Sequence, residues 1–231
     1  MVNLDNIIEY KVSGRRALFT DPISKIGGEK YSYPVPTYQA LKGITESIYW
    51  KPTMIWYIDS VRVINPICHE AQNIRSINYN GGNDLSIYGY LKDVEYQVRA
   101  HFEWNHNRDD LTQDRNENKH FSSAVRSVKK GGRRDIFLGT RECQGYVEPC
   151  TFGEGVGHYD DVARDIPFGL MFHSFDYPDE TGEDELAARL WSPVMSKGII
   201  HFPEKKKGTI KRIIREDVKP RKIQTNMQEE Y

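Results

Sequence analysis

A lysine and a histidine stand side by side at Lys119-His120, at the start of a predicted basic helix over Lys119–Lys130. Histidine carries protons near neutral pH, and a lysine ammonium stabilises negative charge that develops on a phosphate. RNA supplies its own nucleophile, the 2′-hydroxyl, so its cleavage needs only a base, an acid and a cation. The pair suits that chemistry, although two exposed polar side chains without a catalytic role are the commoner reason for such a dipeptide.

Tyr49 is the second candidate, because it lies at the end of a helix predicted between Thr37, a capping residue, and Pro52, which stops it. A tyrosine in such a place is most often a core-edge residue, and its ordinary pKa of about 10 makes it a poor base. If this helix and the Lys119–Lys130 helix pack on the same face of a sheet, the end of the first can meet the start of the second. That arrangement would bring Tyr49 to Lys119-His120.

Other catalytic centres have weaker support in the sequence. His101, Glu103 and the Asp109-Asp110 pair are close in the chain, but no HxxxH, HExxH or DxD spacing accompanies them. The glycine pairs form no Walker or Rossmann loop. No metal or cofactor is therefore expected. The three cysteines form no CxxC pair and are expected to be reduced, buried small side chains: Cys68, Cys143 and Cys150.

The composition fits a folded protein that meets a polyanion on one side. Hydrophobic residues make up 38% of the 231 residues and the net charge is −1. The charge is segregated: 151–190 hold ten acidic side chains, whereas 119–134 hold six Lys or Arg and no acid. Solvated surfaces of opposite sign would give the same pattern. There is no apolar run near 18 residues and no signal-peptide core at the start, so we expect a cytoplasmic protein.

The predicted elements follow the order strand, helix, strand, strand, helix, strand, which is the pattern of an α+β, ferredoxin-like (RRM-like) βαββαβ domain. The strands are predicted over Asn6–Phe19, Met54–Ile67, Asp84–Glu103 and Arg134–Val147, with a bend or bulge at Gly89. Residues 1–150 would form this domain and 151–203 a small antiparallel β-rich domain. The latter carries candidate strands at Leu170–Asp176, Ala187–Trp191 and Lys197–Phe202. Residues 204–231 would form a basic tail, disordered until it binds.

Several stretches resemble a known family far more specifically than any short motif. The chain is similar to the type I-C (Dvulg) subtype of the fifth CRISPR-associated protein family. The resembling stretches are Gly14–Pro22, Gly27–Tyr38, Leu41–Ile44, Ile48–Pro52, Arg115–His120 and Arg134–Cys143.

The resemblance implies a ferredoxin-like domain followed by a smaller β-rich part, and a metal-independent endoribonuclease that cuts precursor CRISPR RNA within its repeats. It implies a catalytic trio at Tyr49, Lys119 and His120, with 2′-hydroxyl attack giving a 2′,3′-cyclic phosphate. It further implies retention of the 5′ handle and assembly with the backbone and large subunits of the type I-C surveillance complex. Candidate RNA-binding residues in the basic segment are Lys129, Lys130, Arg133 and Arg134.

Two other functions remain open at the level of the sequence. A non-catalytic scaffold that only caps the 5′ handle would bind RNA and release no product. A general nucleic-acid module would also bind duplex DNA through the basic segments. Tyr49, Lys119 and His120 favour the nuclease over both.

Overall fold

The structure is a computed structural model that describes residues 6–22, 25, 28–204 and 207–220. It is a mixed α/β structure with a large, almost wholly antiparallel sheet and smaller β-rich parts. Its elements are, in chain order, β1 (Ile7–Ala17), β2 (Lys30–Tyr31), α1 (Tyr38–Ile48), β3 (Met54–Val63), β4 (His69–Ile77), β5 (Asn83–Trp104), a 3₁₀ helix (Asp109–Asp114), α2 (Glu117–Lys129), β6 (Ile136–Phe137), β7 (Gln144–Pro149), β8 (Ile166–Pro167), β9 (Met171–Asp176), α3 (Pro178–Thr181), β10 (Glu185–Trp191), β11 (Val194–Met195), β12 (Ile199–His201) and β13 (Ile210–Glu216).

The large sheet has the hydrogen-bonded order β12-β3-β5-β1-β7-β6, and β2 and β4 also pair with β5. Only the short β2 runs parallel to its neighbour among the described strands. The helix α1 connects β1 to β3, and α2 connects β5 to β7. Both helices pack against this sheet and contact each other. The Tyr10 hydroxyl in β1 lies 2.8 Å from the Thr45 hydroxyl in α1, in the buried interior.

The two predicted helices are present with slightly different ends. Thr37 caps α1, since its hydroxyl accepts a hydrogen bond from the Ala40 N–H at 3.1 Å. This helix ends at Ile48, so Tyr49 is its C-cap residue. Asn116 caps α2, and the helix therefore begins two residues before the predicted Lys119.

Three strand predictions need correction. The polar strand β4 was not predicted, and it pairs along its whole length with the first half of β5. The predicted bulge at Gly89 is wrong, because the β4–β5 register runs through Gly89 without a shift. A side chain there would overlap the Tyr31 ring, because an added Cβ would lie less than 3.0 Å from the nearest ring carbons. The single strand predicted over Arg134–Val147 is instead β6, a turn and β7.

The C-terminal third contains strands close to all three predicted there. The strands β9, β10 and β13 form one antiparallel sheet, β8 pairs with β11, and β12 joins the edge of the large sheet beside β3. Part of the predicted disordered tail is thus ordered, since β13 pairs with β10. The last residues of that tail, 221–231, lie outside the described residues.

Cys143 is buried as predicted, whereas Cys68 is exposed and Cys150 is half-buried. Across the described ranges, no helix has both the length and the apolar character needed to cross a membrane.

A buried hydrogen bond links the sheet to the segment that follows α1. The Trp56 indole N–H in β3 donates to the Tyr49 carbonyl at 2.7 Å, and Trp56 is fully buried. Replacing Trp56 by Phe leaves this carbonyl without its donor, at a cost of about 1–3 kcal/mol in the free energy of unfolding, beyond the loss of ring volume. Urea unfolding of the two proteins measures this difference.

Trp191→Phe is the matched control for ring volume. The Trp191 indole N–H is buried and has no hydrogen-bond partner among the described residues, so its removal should destabilise the protein less. Equal losses for the two variants would contradict the role given to the Trp56 N–H.

Candidate active site

Tyr49 and His120 meet where the end of α1 approaches the first turn of α2. The Tyr49 hydroxyl lies 2.8 Å from Nδ1 of His120, a buried contact between residues 71 positions apart. Tyr49 is 3% exposed and His120 is 0% exposed. The convergence of these two residues, predicted from the packing of two helices on one sheet face, is present in the structure.

The second nitrogen of His120 determines how the ring is protonated. Nε2 lies 2.8 Å from the backbone carbonyl oxygen of Asp114, which can only accept a hydrogen bond. Nε2 therefore carries a hydrogen, and in the neutral ring Nδ1 is the acceptor. It follows that the Tyr49 hydroxyl donates to Nδ1. The edge of the Trp104 ring system completes the surroundings, with ring centroids 5.6 Å apart in a T-shaped contact.

Lys119 lies at the surface beside this buried pair. Its side chain is 56% exposed, and its ammonium donates to the Asp114 carboxylate. This hydrogen bond raises the pKa of Lys119 and lowers the pKa of Asp114. The other carboxylate oxygen of Asp114 lies 3.5 Å from Nε2 of His120. Asp114 thus holds the lysine in place and adds negative charge beside the histidine.

Tyr49 stays protonated at neutral pH. Burial raises its pKa above the ordinary value, and a hydrogen bond with the Ser123 side chain and the positive charges of Arg133 and Lys119 oppose this only in part. The Arg133 guanidinium lies over the Tyr49 ring, 5.5 Å from its centroid. The hydroxyl can therefore take a proton only by handing its own to a base, and His120 Nδ1 is the base in contact with it.

The backbone around Tyr49 is fixed from several directions. Its N–H donates to the Thr45 carbonyl at 3.0 Å and its carbonyl accepts from Trp56, so Tyr49 leaves the helix in an extended conformation. The N–H groups of Arg133 and Arg134 donate to the last carbonyls of α1 at 3.2 and 3.1 Å. These bonds satisfy helix-end acceptors and bring Arg133 to the tyrosine.

The four predicted RNA-binding residues do not form one cluster around the pair. Lys129 and Lys130 are at the far end of α2 from His120, about 14–15 Å along a helix of this rise. The Arg133 guanidinium lies over the Tyr49 ring, and Arg134, the next residue, is exposed at the surface. The structure therefore places one of the four beside the candidate site and the others along a surface leading away from it.

Sequence reasoning missed the role of Asp114. The signal available was an acid close before a capped helix that carries Lys119 and His120. Its contact to His120 is made by a backbone carbonyl, which no residue type reveals. Within the part of the chain that the structure describes, no group of three or more His, Cys, Asp or Glu side chains is arranged to hold a metal ion.

Comparisons with known proteins identify the family of the chain. The chain is 27% identical over 194 residues to the CRISPR pre-crRNA endoribonuclease Cas5d of Thermus thermophilus, covering 78% of this chain and 77% of that protein. A crystal structure of a CRISPR-associated protein matches with a TM-score of 0.72 at 39% identity, over 89% of this chain and 96% of the other. A functionally uncharacterized protein from Streptococcus mutans matches with a TM-score of 0.70 at 41% identity, with the same coverage.

A family model described as CRISPR-associated protein (Cas_Cas5) matches residues 7–203. This range covers most of the chain and contains α1, α2 and the Tyr49–His120 contact. The family resemblance seen in the sequence is confirmed. The chain belongs to the CRISPR-associated Cas5 family, and the family model that matches it carries the name Cas5d.

Proposed function

We propose that this protein is a metal-independent endoribonuclease that cuts precursor CRISPR RNA within its repeats. The observation that carries the proposal is the 2.8 Å contact between the Tyr49 hydroxyl and His120 Nδ1, next to the exposed ammonium of Lys119. Membership of the Cas5 family and the name of the Thermus thermophilus relative, a pre-crRNA endoribonuclease, support the choice of substrate.

In the proposed reaction, the Tyr49 hydroxyl takes the proton of the RNA 2′-hydroxyl and passes its own proton to His120 Nδ1. The 2′ oxygen attacks the adjacent phosphorus, the bond to the 5′ oxygen breaks, and this oxygen takes a proton from water. The products are a 2′,3′-cyclic phosphate and a 5′-hydroxyl, and His120 returns its extra proton to the solvent through Tyr49. The charged His120 ring is stabilised by the carbonyl and carboxylate of Asp114. Lys119 and Arg133 are the cations placed to neutralise the crowded phosphate.

The fold that presents this site is, in our proposal, a ferredoxin-like domain over residues 1–150. Support comes from the strand order β7-β1-β5-β3, which corresponds to strands 4-1-3-2 of a βαββαβ unit. Residues 151–203 would form a small β-rich domain and 204–231 a basic tail. The pairing of β12 with β3 and of β13 with β10 joins both parts to the rest of the chain.

After cleavage the protein is proposed to keep the 5′ handle of the mature RNA. It would then serve, in the cytoplasm, as a subunit of the type I-C surveillance complex beside the backbone and large subunits. Family membership supports this assignment. A scaffold that binds the handle without cutting is the alternative, and the next experiment separates the two.

Incubation with repeat RNA in excess EDTA tests the cleavage mechanism. Wild-type protein should cut at one position and leave a 2′,3′-cyclic phosphate, and a single 2′-deoxy nucleotide before that position should abolish the product. His120→Ala should slow cleavage by about 10²–10⁴-fold, the usual contribution of a positioned proton carrier. The matched control is His158→Ala, which removes an exposed histidine outside the site and should cut at the wild-type rate.

A requirement for a divalent ion, or unchanged cleavage by His120→Ala, would contradict this mechanism. Tight binding of repeat RNA without any product from the wild-type protein would favour the scaffold instead.

The exposed basic residues at the end of α2 and before β6, which include Lys130 and Arg134, should make RNA binding depend on salt. Each phosphate that a variant no longer neutralises should make the slope of log K against log salt shallower by about 0.7–0.9. We therefore expect Lys130→Ala and Arg134→Ala each to reduce the slope by about that amount, measured by fluorescence anisotropy over a salt series.

Arg212→Ala removes the same charge from β13, where the side chain is exposed, and should leave the slope unchanged. If all three substitutions change the slope equally, the RNA-binding role proposed for Lys130 and Arg134 is wrong.

A further inference from the structure

A cavity of about 430 Å³ lies beside the segment that carries Tyr49. It is open to solvent and is lined by residues at the end of α1, the start of β3, after β5 and in the short helix α3. Its apolar lining residues are Pro52, Met54 and Ile55, and the aromatic residues Trp50 and Tyr177 also line it.

Trp50 and Tyr177 are unusual among the large apolar side chains of the protein, because both line a cavity and stay open to solvent. Trp50 is 40% exposed and Tyr177 is 38% exposed, and neither belongs to the main core. Aromatic faces that remain accessible at a cavity are the groups on which proteins stack unpaired nucleobases. This feature points to a flat aromatic ligand.

The polar lining of the cavity disfavours a phosphate and suits the edge of a base. Glu46, Asp179 and Glu180 line it, and the guanidinium of Arg108, which also lines it, is paired with the Asp110 carboxylate. Carboxylates repel phosphate but accept hydrogen bonds from base N–H groups. The buried ammonium of Lys42 contacts the Glu180 carboxylate and lies 3.8 Å from Glu46, which fixes these two acids at the wall. The cavity thus combines a stacking surface with hydrogen-bond acceptors.

The cavity and the Tyr49–His120 pair are built on the same two stretches of chain. Tyr49 is extended, so the side chain of Trp50, the next residue, points to the other side of the backbone. Two consecutive residues are likewise divided between the site and the cavity at the end of β5, where Trp104 contacts His120 and Asn105 lines the cavity. Because consecutive Cα atoms are about 3.8 Å apart, the cavity and Tyr49 lie on either side of one short backbone segment.

We propose that this cavity binds one unpaired nucleobase of the RNA, next to the scissile phosphate, by stacking on Trp50 and Tyr177. The inference rests on the proposed nuclease function and adds to it a specificity-determining site. A base held there would place the neighbouring phosphate against Tyr49 and Lys119, so the cavity would select the position of the cut.

A double-mutant cycle between protein and RNA tests the proposal. Repeat RNA that carries a 2′-deoxy nucleotide at the scissile position is the probe, with a single abasic nucleotide introduced at each flanking position in turn. Trp50→Ala should weaken binding about tenfold, the scale of a single base stack. One abasic position should weaken wild-type binding by a similar factor and have little further effect on Trp50→Ala.

Trp50→Phe keeps an aromatic face and should retain most of the affinity. Tyr146→Ala removes another aromatic ring, which is 62% exposed on β7, and should bind as the wild type does. The proposal is overturned if Trp50→Ala binds every RNA as the wild type does. It is equally overturned if the losses from Trp50→Ala and from the abasic site multiply at every position.

Since binding is measured on uncleavable RNA, this test does not depend on catalysis. A wild-type protein that never cuts RNA would overturn the proposed function, while normal cleavage without coupling to Trp50 would overturn the base-binding inference alone.

Discussion

His120 is buried with both ring nitrogens hydrogen-bonded inside the protein, one to the Tyr49 hydroxyl and one to the Asp114 carbonyl. A buried polar ring without such partners would destabilise the fold, so these two bonds fix both its position and its tautomer. The two hydrogen bonds also constrain the neighbouring residues Tyr49 and Lys119. Tyr49 can only donate toward the ring, and Lys119, one residue earlier on α2, is rotated by about 100° to the surface.

This arrangement divides the chemistry between a buried part and an exposed part. His120 is covered and acts in our account through Tyr49, whereas Lys119 and Arg133 are the cations that can face a phosphate. Asp114 connects the two parts, since its carbonyl holds the histidine and its carboxylate holds the lysine. The cavity beside Trp50 adds a place for a base on the opposite side of the same backbone segment.

The sequence predicted what local signals and burial determine. A capping threonine before an apolar stripe and a proline after it located α1, and β-branched residues located β1 and most of β3 and β5. It did not predict β4, whose side chains alternate between half-buried and exposed and which is held by pairing with β5 rather than by a core. The same reason explains β13, which looked like a basic tail and pairs with β10. The break between β6 and β7 depends on Gly139, whose positive φ of 96° lets the backbone pass close to the Leu18 carbonyl.

The sequence predicted which residues form the candidate site, but it predicted little of how they contact one another. Family resemblance selected Tyr49, Lys119 and His120, and the pattern of elements allowed them to meet. The bond from His120 to a backbone carbonyl and the position of Trp50 depend on how distant segments pack, which residue types alone do not encode.

The central claim is that Tyr49 and His120 act as one proton-transfer unit. Single-turnover cleavage rates of Tyr49→Phe, His120→Ala and the double variant test it most directly. We expect the double variant to be about as slow as the slower single variant, because either substitution already interrupts the transfer. If the fold decrease in cleavage rate of the double variant equals the product of the two single decreases, the residues act independently. That result would contradict the account.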